Sequence, residues 1–379
     1  MSTKLSPKVE EFINQHEKYL FDMTVELAKI PAPSNKEELR AQWCKEYFEK
    51  IGATGVYMDE ALNVVWPINC EGCNEIVVMM AHTDLVFPDM TELPVVIKDG
   101  RINAPGIGDD TANLTVMLLM AKYIAENKLT PKTGVLIVAN SGEEGLGNLK
   151  GSRQIMKDYE GRVKEFISFD GTFGFFCDNA VGSHRYRVTV KTEGGHSYGA
   201  FGNRNAIHYL ASMINTLYAI KVPPYGKTTF NVGIIEGGTS VNTIAQNASM
   251  MYEYRSDDLR GLDVMEKFFE NTIEAYKAMG IGVEVEVLGK RPCRGDVDMQ
   301  KLAELTARGI EASEHFTGRK VEVGAGSTDC NIPLSMGIPA ICFGLIDGDG
   351  AHTREEWITI ESLQVGARLA AGFMLDYFN

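Results

Sequence analysis

The chain has 379 residues, 44% hydrophobic and 23% charged, with a formal net charge of −14. Its length suggests two domains of about 100–200 residues each, and its balance is that of a soluble globular protein. A surface of this sign repels nucleic acid and anionic membranes, and no apolar run reaches the roughly 18 residues a bilayer span needs, so neither partner is expected.

The opening Met1-Ser-Thr-Lys-Leu-Ser-Pro-Lys lacks the apolar core of a signal peptide, which makes a cytoplasmic location the expectation. Seven cysteines are scattered at 44, 70, 73, 177, 293, 330 and 342. A chain this long does not need disulfide staples, and Cys70-x-x-Cys73 reads as two thiols in a loop between strands.

From Lys8 to Phe48, charged and apolar residues alternate at helical spacing. The run breaks at Pro31-Ala-Pro33-Ser34, which predicts two helices with Ser34 capping the second. Strands are predicted at 54–66 and 75–87. A strongly apolar helix over 111–127 follows the loop Gly106-Ile-Gly-Asp-Asp. Strands at 134–140 and 165–170 bracket a helix over 152–158. Strands alternating with helices imply a mixed, largely parallel sheet with helices on both faces, an α/β fold.

The pattern changes near Gly182. Strand 186–191, helix 206–220, strands 229–235 and 249–255, helix 262–279 and strand 283–288 give the order β-α-β-β-α-β. That is the split βαβ, or ferredoxin-like, pattern of an α+β module. After it come a helix over 298–317, a short segment at 321–323, a strand at 338–343 and a helix over 359–377. The first domain is therefore expected to be discontinuous, 1–181 plus 294–379, with 182–293 inserted. The module's edge strand would be bare in a monomer, which natural sheets avoid. Edge-to-edge pairing of two copies in a homodimer is expected, unless edge charges protect the strand.

Ligands of open parallel sheets bind beyond the carboxyl ends of the strands. His82 ends an apolar run, and Asp84 follows two residues later, on the same face if the strand continues. An imidazole and a carboxylate so placed suit a zinc-class metal. Glu143, Glu144 and Asp170 follow other apolar runs, His352 follows the last strand, and Asp109 lies in a Gly-rich loop in reach of the same rim. So many carboxylates together repel one another unless a cation neutralises them. Two imidazoles and four or five carboxylates exceed the needs of one tetrahedral zinc. They fit two ions about 3.5–4 Å apart, sharing a carboxylate and a water. Of two adjacent glutamates, one can hold metal while the other faces the water as general base.

His82-x-Asp84, Gly108-Asp109-Asp110, Ser141-Gly-Glu143-Glu144-Gly145, Phe169-Asp170-Gly171, Gly195-His196-Ser197 and the late His352 resemble the di-zinc aminoacylase, carboxypeptidase and tripeptidase (peptidase T) family, in order and over nearly the whole chain. The resemblance implies a di-zinc exopeptidase fold whose inserted module serves as lid and dimerisation domain. It implies that His82, Asp109 and Asp170 bind metal, with Asp109 bridging both ions, and that Glu144 and His352 complete the other position. Glu143 would be the general base. Asp84 would orient the His82 ring without touching metal, which replaces the ligand role suggested by spacing. The Asp109-Asp110 peptide would be cis.

Two departures stand out. Thr111 occupies a position where many members have Lys, and the metal position at 170 is Asp where deacylases more often have Glu. The second tilts the expected substrate toward short peptides, cleaved by a peptidase T-like aminopeptidase or dipeptidase. An N-acyl amino-acid amidohydrolase on the same site is the alternative. The ions expected are two zinc, with cobalt or manganese possible. The resemblance also implies that His196 donates to the tetrahedral oxyanion, within the subunit or across a dimer interface, and that Asn242 and Arg255 contact substrate. Arg255 could equally make a surface salt bridge at a strand end. Gly326-Ser327-Thr328-Asp329 reads either as a helix cap or as a loop contacting substrate through Ser327.

Overall fold

The computed structural model describes residues 4–378. It contains two compact units: one runs through Asn179 and resumes at Asp296, and the other is Ala180–Gly295.

The first unit is built on an eight-stranded sheet. Its order is Tyr57–Met58, Val64–Ile68, Gly134–Asn140, Ile76–His82, Val163–Phe169, Ala340–Phe343, Phe175–Ala180 and Glu322–Gly326. The four strands from Gly134–Asn140 to Ala340–Phe343 are mutually parallel, and antiparallel pairs flank them. Every residue of Ile76–His82 and of Gly134–Asn140 is buried, as in strands covered on both faces. The mixed, largely parallel sheet expected from the sequence is present.

The helix Ala112–Glu126 is almost wholly buried and packs against Ile360–Met374. Phe343 anchors the layer beneath. Its ring stacks on Phe176 at 4.5 Å and meets Phe169 and Phe373 nearly edge-on at 5.3 and 5.2 Å. Such pairs add about 0.5–1.5 kcal/mol beyond the area they bury.

The N-terminal segment forms three helices where two were expected: Pro7–Gln15, Glu17–Ala28 and Glu38–Lys50. His16 divides the first two; its φ of −103° leaves the helical range, and its ring Nδ1 sits 2.8 Å from Phe12 O. Ser34 does not cap the helix that follows it, which starts after Glu37 without a side-chain cap. The strand predicted over 75–87 stops at His82, because Leu85 N leaves the sheet to donate to Ala32 O at 2.8 Å.

A small sheet escaped the sequence reading. It orders Gly348–Asp349, Trp357–Thr359, Arg101–Asn103 and Val96–Lys98, all antiparallel. It joins the segment before Asp109 to the segment after His352.

The inserted unit is an antiparallel sheet ordered Thr228–Gly237, Asn247–Ser256, Gly182–Lys191 and Gly282–Arg291. Alternate residues Tyr186, Val188, Val190, Met250, Tyr252 and Tyr254 share one core with Leu210 and Met213 of the helix Ala206–Tyr218 and with Met265 and Phe269 of Leu259–Ala278. The period of two puts these residues on a single face. Ser183 near the start of the unit pairs with Arg291 near its end. Thr228–Gly237 is an outer strand with Ile234 and Ile235 exposed.

Candidate metal centre

His82 closes its strand with a fully buried ring. Its Nε2 lies 3.0 Å from Asp109 Oδ1 and 4.0 Å from Asp170 Oδ1. The other oxygen of Asp109 lies 3.1 Å from His352 Nε2, which is in turn 3.3 Å from Glu144 Oε1. Three sets of potential ligand atoms each fall within 4.8 Å: His82–Asp109–Asp170, Asp109–Glu144–His352 and His82–Glu143–Glu144. Asp109 belongs to the first two, and its two oxygens face different histidines. That donor set suits two zinc-class ions sharing one carboxylate. Glu144 Oε1 is buried, and its near polar neighbour is the His352 ring nitrogen, so the two could meet a common ion.

The groups around these residues hold their backbones. Asp84 is fully buried; its Oδ1 accepts from Glu143 N at 2.9 Å, and its Oδ2 accepts from Glu144 N at 3.0 Å and from Ser34 Oγ at 2.7 Å. Its Oδ1 also lies 3.6 Å from His82 Nδ1, while the Asp84 carbonyl is nearer, at 3.1 Å. One carboxylate thus fixes the Glu143-Glu144 backbone beside the His82 ring. Asp110 Oδ2 accepts from His82 N at 2.8 Å. Asn113 Nδ2 donates to Asp110 Oδ1 at 2.7 Å and to Gly171 O at 3.0 Å, and its Oδ1 accepts from Leu345 N at 2.6 Å. The Asp109-Asp110 peptide is cis.

Asp110, Asn113 and Arg40 were not assigned roles from the sequence. Arg40, on Glu38–Lys50, is completely buried and donates to Thr83 O at 3.2 Å and to Thr111 Oγ1 at 3.0 Å. Thr111, the departure from the family's Lys, is thus met by a cation from another helix. Nothing in the local pattern around Arg40 announces this.

Burial opposes ionisation of Asp109, but hydrogen bonds from His352 and His82 outweigh it and hold the carboxyl well below its usual range. Asp170 goes the other way. Burial and then the Asp109 charge push it from 3.8 up to about 7. The carboxylates of Asp109 and Glu144 lift His352 from 6.5 to about 10. A raised folded-state pKa means that the folded chain holds the proton longer than the unfolded chain. Stability from such a group is full below its unfolded pKa and lost as pH rises through the folded one. For Asp170 that window runs from 3.8 to about 7, and for His352 from 6.5 to about 10. The metal-free protein should therefore lose thermal stability as pH rises through these windows, whereas ion-loaded protein should not. Thermal melts across the range, with and without chelator, test this. A metal-free melting temperature that climbs with pH would contradict it.

In the inserted unit, His196 pairs with Thr243 in a two-residue ladder. Its Nδ1 accepts from Tyr198 N and Gly199 N at 3.3 and 3.2 Å. In the neutral ring the proton then sits on Nε2, leaving that nitrogen a donor. Asn242 lies beside it: its carbonyl accepts from Ser197 N at 2.9 Å. The Arg255 fork is taken by Glu253, Nε to Oε1 at 3.1 Å and Nη2 to Oε2 at 3.0 Å, which matches the salt-bridge reading. In the first unit, Ser327 precedes a local turn. Thr328 N donates to Asn331 Oδ1 at 2.9 Å and Thr328 Oγ1 accepts from Cys330 N at 3.2 Å, ahead of the helix Asn331–Ser335. Asp329 beside it is buried and accepts from Asn140 Nδ2 at 2.6 Å.

Fold and donor set together define a metallo-hydrolase. The chain belongs to peptidase family M20/M25/M40, whose model matches residues 78–376. It is similar to succinyl-diaminopimelate desuccinylase of Corynebacterium glutamicum, with 25% identity over 351 residues that cover 90% of this chain and 92% of the relative. Among solved structures it resembles a tripeptidase from Staphylococcus aureus subsp. aureus Mu50, with a TM-score of 0.75, 22% identity and coverage of 96% of this chain and 99% of that one. It also resembles YXEP of Bacillus subtilis, a dinuclear metal-binding peptidase of the same family, with a TM-score of 0.65, 16% identity and coverage of 96% and 99%.

Proposed function

We propose that this protein hydrolyses short peptides, as an aminopeptidase or dipeptidase similar to peptidase T, using two divalent ions, preferably zinc. The observation that carries the reading is Asp109, whose two oxygens face His82 on one side and His352 on the other. His82, Asp109 and Asp170 would hold one ion, and Asp109, Glu144 and His352 the other. When bound, such ions polarise an amide carbonyl and make water acidic enough to serve as nucleophile at neutral pH.

Glu143 removes the proton from the attacking water at its carboxylate and returns it to the leaving nitrogen. Asp84 keeps Glu143 in place through the backbone. His196, with Nε2–H available, donates to the developing oxyanion. Asn242 and Ser327 contact the substrate, and Arg255 can join them only if Glu253 releases its fork. A homodimer through the inserted unit is supported by the bare outer strand with exposed Ile234 and Ile235. A cytoplasmic location is supported by the seven cysteines, which are all free thiols. No helix among the described residues is long and apolar enough to cross a membrane.

Asp at position 170 favours peptides, whereas the likeness to a desuccinylase favours the alternative of an N-acyl amino-acid amidohydrolase. Chelation should abolish hydrolysis, and zinc, cobalt or manganese should restore it. A panel of dipeptides, tripeptides and N-acyl amino acids then separates the readings by kcat/KM. Peptides left intact while N-acyl substrates are cleaved would establish the alternative. Inertness toward the whole panel with two ions bound would refute both.

A further inference from the structure

Glu356 is 2% exposed, yet the groups that donate to its carboxylate are main-chain amides rather than a cationic side chain. It is spent instead on backbone. Oε2 accepts from Gly106 N at 2.9 Å, and Oε1 accepts from Gly108 N at 2.7 Å and Asp109 N at 2.8 Å. Its carbonyl accepts from Ala104 N at 3.1 Å. The next residue, Trp357, is in register with Asn103 across the small sheet. One residue thus grips the loop 104–109 from both its main chain and its side chain. Glu356 also lies four residues after His352, in the same loop.

We infer that Glu356 is a positioning residue that locks the Asp109 loop to the His352 loop, so that the ion position they share with Glu144 exists only while this clasp is closed. The inference rests on the two-ion reading proposed above. The Asp109 N–H and the N–H groups of Gly106 and Gly108 just before it all donate to Glu356, so the backbone that carries the Asp109 side chain is held. The other position also takes Asp109, but it keeps His82 at the end of Ile76–His82 and Asp170 just after Val163–Phe169, two strands paired in the central sheet. The two positions should therefore respond unequally to damage at Glu356. A buried ion is an expensive way to close a loop for stability alone, since burying a charge is unfavourable unless it is fully hydrogen-bonded. Here the acceptor capacity is directed at the residue that reaches both histidines.

The test is Glu356→Gln in the full chain, titrated with cobalt(II) and followed by calorimetry and by the visible absorption of the bound ion. A glutamine offers one oxygen and sets an N–H₂ donor against amide donors. Expected is a loss of roughly 10–100-fold in affinity for the second equivalent, as for other residues that orient ligands, with a smaller loss at the first, which shares Asp109. Metal-free melting temperatures are recorded alongside. A lowered melting temperature with both affinities and the spectrum unchanged would make Glu356 structural only and overturn the inference.

Gly108→Ala probes the clasp while leaving the Glu356 carboxylate chemically intact. A Cβ there would stand 3.1 Å from Glu356 Oε1, so the second affinity should fall in the same sense but less. Should Glu356→Gln not fold, Glu356→Asp and Gly108→Ala decide, and parental binding of both ions by both variants would overturn the inference. If the parent chain itself takes up no second ion, the two-ion reading fails, and the clasp with it.

Discussion

Glu143→Ala should keep its divalent ions and lose turnover by about 100- to 10,000-fold, the range of a general base. The five proposed ligands His82, Asp109, Glu144, Asp170 and His352 are untouched, and the Asp84 carboxylate still holds the backbone at 143 and 144. Removing one buried carboxylate from a rim of carboxylates relieves repulsion, so the metal-free variant should unfold no lower than the parent. Ion content per chain and kcat on a dipeptide check both halves. Glu143 also lies within ligand distance of His82 and Glu144, which gives the experiment its edge. If ions and activity disappear together, Glu143 is a ligand. If turnover persists, the proton is handled elsewhere.

Asp109→Ala should do more damage to binding. Asp109 is common to both His82–Asp109–Asp170 and Asp109–Glu144–His352, so truncation takes a ligand from each. Affinity should fall at both equivalents by more than the roughly 10–100-fold typical of orienting residues, and hydrolysis should drop below detection. His352→Ala serves as contrast, since His352 belongs to only one of those two sets. Titration of both variants with zinc or cobalt reads the difference. Two ions bound at parental strength by Asp109→Ala would show that the carboxylate is not shared.

The residues the structure gathers at the rim were legible because each follows an apolar run. His82 closes Ile76–His82, Glu143 and Glu144 come soon after Gly134–Asn140, and Asp170 follows Val163–Phe169. Parallel strands all point their carboxyl ends one way, so sequence-distant polar residues converge. What was not legible acts through the main chain. Asp110 bonds to His82 N, Asn113 bonds to Leu345 N and Gly171 O, and Glu356 bonds to the amides of Gly106, Gly108 and Asp109. No ligand spacing or periodicity encodes such contacts, and Glu355-Glu356 looks like any solvated acidic pair. The three-residue strands of the small sheet are too short to show alternation. Arg255 illustrates the reverse: its carboxylate partner Glu253 is two residues away on the same face of a strand, so the bland reading was visible all along.

The register of Ser183 against Arg291 has a consequence for how the whole chain assembles. His352 must find Asp109 and Glu144 after everything between Asp170 and itself has been threaded out. Were that stretch slack, the entropy of bringing its ends together would oppose assembly of the rim, increasingly so with length. The insertion has its own core, and once folded it presents its first and last strands side by side. To the rest of the polypeptide it then behaves as a tight hairpin, whatever number of amino acids it contains.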